Sequence, residues 1–263
     1  MSCELVISGW YSTDAPREYA TAGDDIIRGP KFRSLWWNSL DQYMRPNHVL
    51  IVDSASPVKA DDAACTRTPF QRLELLRNPG HSQTTTAHYC GYTASALIGL
   101  EFALHNDVDM VIYVEQDVLV YGSDIIEKTK SALKRSDYVF GNDARQVQTS
   151  YWAMNRRGIR RFMEVLHAMK FSDKQIAPEQ KFMYASTGWL PSALLRLAVY
   201  TPFTPARRVG SRLYWTFLNA MRGYNFLPFG YGRLRPISFR DDVFYFQHAS
   251  LEELSEYRRL TGF

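Results

Sequence analysis

Met110-Val111-Ile112-Tyr113-Val114-Glu115-Gln116-Asp117 is the stretch whose reading decides the fold. Five apolar residues run without interruption and then give way to two carboxylates, two positions apart. An unbroken apolar run of this length predicts a strand covered on both faces. Working outward, the same pattern recurs at Leu5-Val6-Ile7, Val49 to Val52, Leu73 to Leu76 and Tyr138 to Phe140. Between these runs lie stretches with apolar residues at helical spacing: Phe32 to Tyr43, stopped by Pro46; Thr86 to His105; and a helix through Leu133 that Ser123-Asp124 would cap. Strands alternating with amphipathic helices predict an α/β fold with a mostly parallel central sheet and helices on both faces. In such sheets ligands sit beyond the carboxyl ends of the strands. The polar clusters Ser8 to Trp10, Asp53 to Ser56, Asn78 to His81 and Glu115 to Asp117 all fall at those ends.

The second half is less regular. Ser150 to Met154 reads as a strand, Gly158 to Met169 as a helix, Pro178-Glu179 as a helix start, and Val243 to Gln247 as a strand ending at His248. Without a repeat or a clear linker, residues 1–263 are expected to form one domain, regular over 1–145 and less regular over 146–263.

Composition sets bounds. A net charge of +4 and 46% apolar residues describe an ordinary globular chain and give no case for nucleic acid as a partner. The positive charge is uneven: Leu190 to Phe239 has no Asp, Glu or Lys, yet holds Arg196, Arg207, Arg208, Arg212, Arg222, Arg233 and Arg235. These arginines suit either a solvated surface, contact with a diphosphate, or peripheral contact with an anionic membrane. Cys3, Cys65 and Cys90 match no zinc spacing and read as free thiols. There is no basic head with a cleavage site at the N-terminus, and no apolar stretch nears the roughly 20 residues that span a bilayer. A cytoplasmic protein is expected.

The acidic triplet carries the chemistry. Side chains two apart point the same way as a strand ends, so Glu115 and Asp117 could form an oxygen site for Mg²⁺ or Mn²⁺. The bland alternative is a pair of solvated loop carboxylates. At this point the layout resembles the GT-A glycosyltransferases, well over residues 3–145 and loosely beyond. Ser8, Gly9 and Trp10 match the family's first nucleotide-contacting loop, and Asp53 the acidic residue after the second strand. Glu115-Gln116-Asp117 matches the metal-binding D-x-D triplet, with Glu in the first place. The resemblance implies a Rossmann-like GT-A domain that uses Mn²⁺ or Mg²⁺ and a nucleotide diphosphate sugar as donor, with a glycan or lipid-linked acceptor. It also implies a metal held by Asp117, Glu115 and the C-terminal His248, and a catalytic base at Glu179 if configuration inverts. Each role has a structural rival: His248 could cap the helix near Ser250, and Glu179 could simply favour a helix start.

Other residues are read more briefly. Arg233, in Gly230-Tyr231-Gly232-Arg233, is the expected diphosphate contact. Trp152, Trp189, Trp215 and Tyr231 could stack on sugars or pack in the core. Asn142-Asp143 could touch ligand or make a turn, and His81 and His88 read as polar residues at a helix start. No G-x-S-x-G, P-loop or G-x-G-x-x-G after the first strand is present, which disfavours hydrolase, NTPase and NAD readings. A sugar nucleotidyltransferase is the nearest enzymatic rival, although Ser8-Gly9-Trp10-Tyr11 lacks the basic, glycine-rich loop it would need. A noncatalytic basic module that binds membrane or nucleic acid is the other rival.

Overall fold

The computed structural model describes residues 3–15, 23, 25–59, 68–142, 147–187 and 223–263. Nine strands are found among them: β1 (Glu4–Trp10), β2 (His48–Asp53), β3 (Phe70–Glu74), β4 (Met110–Val114), β5 (Val118–Gly122), β6 (Tyr138–Asn142), β7 (Val147–Asn155), β8 (Tyr224–Phe226) and β9 (Val243–Gln247). The helices are α1 (Pro30–Ser39), α2 (Gly91–His105), α3 (Ile125–Leu133), α4 (Arg156–Ala168), α5 (Pro178–Ala185) and α6 (Leu251–Thr261). Seven strands form one sheet in the order β3-β2-β1-β4-β7-β6-β8. β7 pairs antiparallel with both β4 and β6, while the other pairings are parallel. β5 and β9 form a separate antiparallel pair.

The continuous apolar runs are explained by two-sided burial. On one face Leu5, Ile7, Leu50, Val52, Val111 and Tyr113 pack with Leu97 and Leu100 of α2, Phe162 of α4 and Phe182 of α5. On the other, Val6, Trp10, Val49, Ile51 and Ile112 pack with Trp36 and Trp37 of α1, Ile125 of α3, and the β5–β9 pair. Chain order reverses at β1, since β2 lies on one side of it and β4 on the other. The carboxyl ends of β1 and β4, at that reversal, are the usual ligand position of an open α/β sheet.

Several boundaries differ from the sequence expectation for identifiable reasons. α2 starts at Gly91 and not at Thr86. The N–H groups of Thr84 and Thr85 both donate to the His81 carbonyl, and Ala87 N–H donates to Thr85 Oγ1, so local bonds hold this segment in turns. α1 widens into a single π-type turn at Leu40–Met44, ended by Arg45 in the left-handed region. β3 lies at Phe70–Glu74, not Leu73 to Leu76; its position follows from the pairing of Val49 with Phe70, which leaves Leu76 fully exposed. Asp124 precedes α3, but its side chain makes no capping bond. β5 and β8 are additional to the expected strands.

The packing of α2 on β1 depends on Gly9. A Cβ there would lie 2.2 Å from Ser95 Oγ and 2.8 Å from the Tyr113 hydroxyl. Gly9→Ala is therefore expected to cost about 1–3 kcal/mol through overpacking. Urea unfolding should show a lower midpoint at unchanged slope.

Candidate functional site

The site is built from two segments far apart in the chain. β4 delivers Glu115, Gln116 and Asp117 into a short turn, closed by Val118 N–H donating to the Glu115 carbonyl. The Glu115 backbone is held twice more: its N–H donates to the Ser150 carbonyl at 2.9 Å, and its carbonyl accepts from Trp36 Nε1 at 3.1 Å. Gln116 Oε1 accepts from Tyr11 N–H at 2.7 Å, which ties the exit of β1 to the exit of β4. β5 then pairs with β9 so that Val118 faces Gln247. Continuing that antiparallel register by one residue sets His248 opposite Asp117.

Five expected residues meet here. The Gln247 side-chain NH₂ donates to Glu115 Oε2 at 2.6 Å and to Asp117 Oδ1 at 3.1 Å. His248 Nε2 lies 3.4 Å from the other oxygen of Asp117. Arg233 Nε donates to Gln247 Oε1 at 3.2 Å, and its guanidinium stands 4.0 Å from Glu179. Glu115, Asp117, His248, Arg233 and Glu179 thus form one connected polar group, joined by an amide that sequence reasoning gave no role. The signal for Gln247 was available: a lone amide in a run of aromatic strand residues is buried and must find partners. Asp117 and Gln247 are both nearly inaccessible to solvent.

The supports are specific. Gln247 N–H donates to the Gly232 carbonyl, and Tyr231 N–H to the Tyr245 carbonyl, so the Gly230–Gly232 loop lies along β9 and sets the exposed Arg233 beside Gln247. Gly230 and Gly232 both have positive φ, and a Cβ on Gly230 would meet the Tyr245 ring at 2.1 Å. Arg235 donates to the Gln247 and His248 carbonyls and pairs with Glu253, so it braces the strand end and not a ligand. The cap of α6 is Ser250, in a reciprocal capping box with Glu253, which leaves His248 out of that role. His248 has φ of 58°, the left-handed turn that brings its ring back toward Asp117.

Ser8, Trp10 and Asp53 reach the carboxyl edge of the sheet, but their side chains point into the protein. Trp10 lies under the Arg33 guanidinium, 4.6 Å from its ring, and against Trp36. Asp53 pairs with Arg72 and accepts the Ser56 N–H at 2.7 Å. Trp152 is core, stacked on Tyr113. Tyr231 donates to Asp241. His81 and His88 lie in the loop before α2. Asn142 is exposed at the end of β6, while Asp143, Cys65, Trp189, Trp215, Arg196, Arg207, Arg208, Arg212 and Arg222 lie outside the described residues. Among those described, no helix is long and apolar enough to cross a membrane.

The three expected metal ligands do not converge on one point. Among the described residues no group of three or more His, Cys, Asp or Glu is placed to hold a metal ion. His248 addresses the far oxygen of Asp117, while Glu115 and the near oxygen of Asp117 share a single point, the position of Gln247 Nε2. That point is filled by the protein's own amide, at 2.6 Å from Glu115 and 3.1 Å from Asp117. On the other side of Glu115, burial and then the Glu115 charge push the Tyr113 phenol above its ordinary range. Tyr92 is raised likewise, by burial first and then by Tyr113 and Glu115. Both hydroxyls stay protonated; that of Tyr92 donates to the Thr149 carbonyl at 2.8 Å.

A buried ion pair fixes the helix carrying Glu179. Lys181 and Asp173, both fully buried, lie 2.7 Å apart, and Asp173 also accepts the Cys90 N–H at 2.7 Å. α5 is thereby tied to the start of α2.

No protein-family model matches the chain, and no curated protein matches it. Among solved structures it is similar to the 4-diphosphocytidyl-2C-methyl-D-erythritolsynthase of Anaerococcus prevotii DSM 20548, at 13% identity over 70% of this chain and 81% of that one, with a TM-score of 0.40. It is also similar to a cytidylyltransferase from Leptospira borgpetersenii serovar Hardjo-bovis (strain JB197), at 9% identity over 62% of this chain and 64% of that one, with a TM-score of 0.37. Likeness of this size assigns no activity.

Two outcomes follow from the ion pair. Lys181→Met should destabilise the fold by about 3–5 kcal/mol, because it leaves the Asp173 carboxylate buried without its cation. Adding Asp173→Asn should recover much of that loss in denaturant unfolding. Burial, followed by the Asp173 charge, pushes the Cys90 thiol up to about 12. At about pH 8, peptide mapping after iodoacetamide should find Cys3 alkylated and Cys90 intact in the folded protein.

Proposed function

We propose that the chain is a nucleotide-sugar transferase of the GT-A kind, moving a sugar from a nucleotide diphosphate onto a glycan or lipid-linked acceptor. One observation carries this reading: at the carboxyl end of β4, beside the reversal of strand order, a single point lies 2.6 Å from Glu115 and 3.1 Å from Asp117. In this reading the nucleotide half, 1–145, supplies the carboxylates, and the acceptor half, 146–263, supplies His248, Arg233 and Glu179.

Glu115 and Asp117 would hold Mn²⁺ or Mg²⁺, whose chemistry when bound is to neutralise charge on the leaving diphosphate. Arg233 offers a planar set of donors to the phosphate oxygens. His248 orients Asp117 from its far oxygen, a support of the kind that tunes ligating carboxylates. Glu179 accepts the acceptor hydroxyl's proton in an inverting reaction. Ser8, Trp10 and Asp53 shape the wall near the base and ribose; with their side chains turned inward, the contacts they offer are backbone ones.

A second reading, nucleotidyl transfer to a sugar phosphate, has an observation in its favour. Arg233 stands between Gln247 and Glu179, where it would meet a phosphate nucleophile that needs no base. The products separate the two: a nucleoside diphosphate in the first, pyrophosphate in the second.

Thermal unfolding against UDP, GDP, TDP, CMP and CTP, with and without Mn²⁺, tests the site. Binding to the folded state adds about 2.7 kcal/mol at a hundredfold excess over Kd. One nucleotide should raise the midpoint, and only with metal. Asp117→Ala should abolish that rise and lower turnover by about 100-fold or more while keeping the fold. No rise with any nucleotide would refute the transferase reading.

A further inference from the structure

We infer that Tyr92 is a positioning residue: its hydroxyl closes a bulge in β7 on which both halves of the candidate site rest. The consequence for turnover depends on the transferase reading above, whereas the positioning does not.

The bulge is visible in the register. Phe140 of β6 pairs with Trp152 of β7, yet the next residue, Gly141, pairs with Gln148. Thr149, Ser150 and Tyr151 therefore have no partner on β6. On its other side β7 stays in step with β4: Val114 faces Tyr151, and Glu115 N–H donates to the Ser150 carbonyl at 2.9 Å. Such insertions re-aim groups beside a site. Each residue of this one has its own neighbour. Ser150 holds the Glu115 backbone. Tyr151 stacks on Tyr245 of β9, with ring centroids 5.0 Å apart. Gln148, at the edge of the bulge, lies against the loop that carries Arg233; a Cβ on Gly232 would come within 2.8 Å of the Gln148 amide carbon. Thr149 turns its carbonyl toward α2, where the Tyr92 hydroxyl donates to it at 2.8 Å.

Tyr92 spans the bulge from end to end. Trp152, the last residue in step with β6, donates its indole N–H to the Tyr92 oxygen at 2.9 Å. An indole nitrogen can only donate, so the hydroxyl accepts there and directs its own proton to Thr149, beyond the bulge. The ring is fixed separately, edge-on to Tyr113 and tilted against Phe182. One oxygen thus sets the spacing of Thr149 and Trp152, and with it the place of the Ser150 carbonyl between them. Phenylalanine would keep the ring packing and remove only this clamp.

The test is native-state amide exchange of Tyr92→Phe, followed by NMR on the full chain. The Glu115 amide should exchange about tenfold faster than in wild type, as the loss of one hydrogen bond implies, while amides of β1 and β2 keep their rates. An unchanged Glu115 rate overturns the inference. So does an equal rise across β1, β2 and β4, which is general loosening. If Tyr92→Phe does not fold, wild type decides: the Tyr92 hydroxyl proton should give a resolved, slowly exchanging signal, and rapid exchange with water overturns the inference. In turnover, the variant should lose about tenfold in kcat with the KM for the donor unchanged, and a wild-type kcat overturns the positioning role. If wild type neither turns over nor binds a nucleotide, the transferase reading fails, and the Glu115 amide alone decides the positioning.

Discussion

Antiparallel pairing of β5 with β9 is the contact on which the site depends. It is local to neither segment: Val118 and Gln247 face each other from opposite halves of the chain. The pairing is held from outside by Tyr257 of α6, whose hydroxyl donates to the Val120 carbonyl at 2.6 Å, and by the aromatic cluster of Phe244, Phe246 and Tyr257. A shift of one residue would turn Gln247 away from the carboxylates, because strand side chains alternate. Burial of Phe244, Tyr245 and Phe246 opposes that shift, since each would lose its packing. Hydrophobic register thus determines where the polar chemistry falls.

The polar group so assembled is connected throughout. Its members include buried groups that would be costly if left without partners. Gln247 spans the two carboxylates and Arg233, and Arg233 extends the line to Glu179. The Lys181–Asp173 pair does the corresponding task one layer away, holding α5 against α2 so that Glu179 faces the same space.

Much of this was legible in the sequence, and the parts that were not share a cause. Glu115 and Asp117 were visible because an unbroken apolar run stops at them. His248 was visible because a strand-like run ends there. The α/β class followed from continuous runs, which two-sided burial explains. Asp53 and Trp10 were placed correctly at strand ends, but which way a side chain turns depends on partners such as Arg72 and Arg33, remote in sequence. Gln247 has no motif around it; its meaning comes from groups across a strand pair. β5 follows the triplet at once, so its start was hidden in the loop it closes. The start of α2 was misread because Thr85 and the His81 carbonyl offer the backbone other bonds than helical ones, a competition that apolar spacing does not register.

Gln247 and Asp117 are 130 residues apart. At about 5–20 residues per second, a ribosome takes on the order of ten seconds to make that interval. For that time the acidic pair exists without the amide that covers it. The acidic pair of a nascent chain is therefore made well before the amide that bonds both of its members in the folded protein.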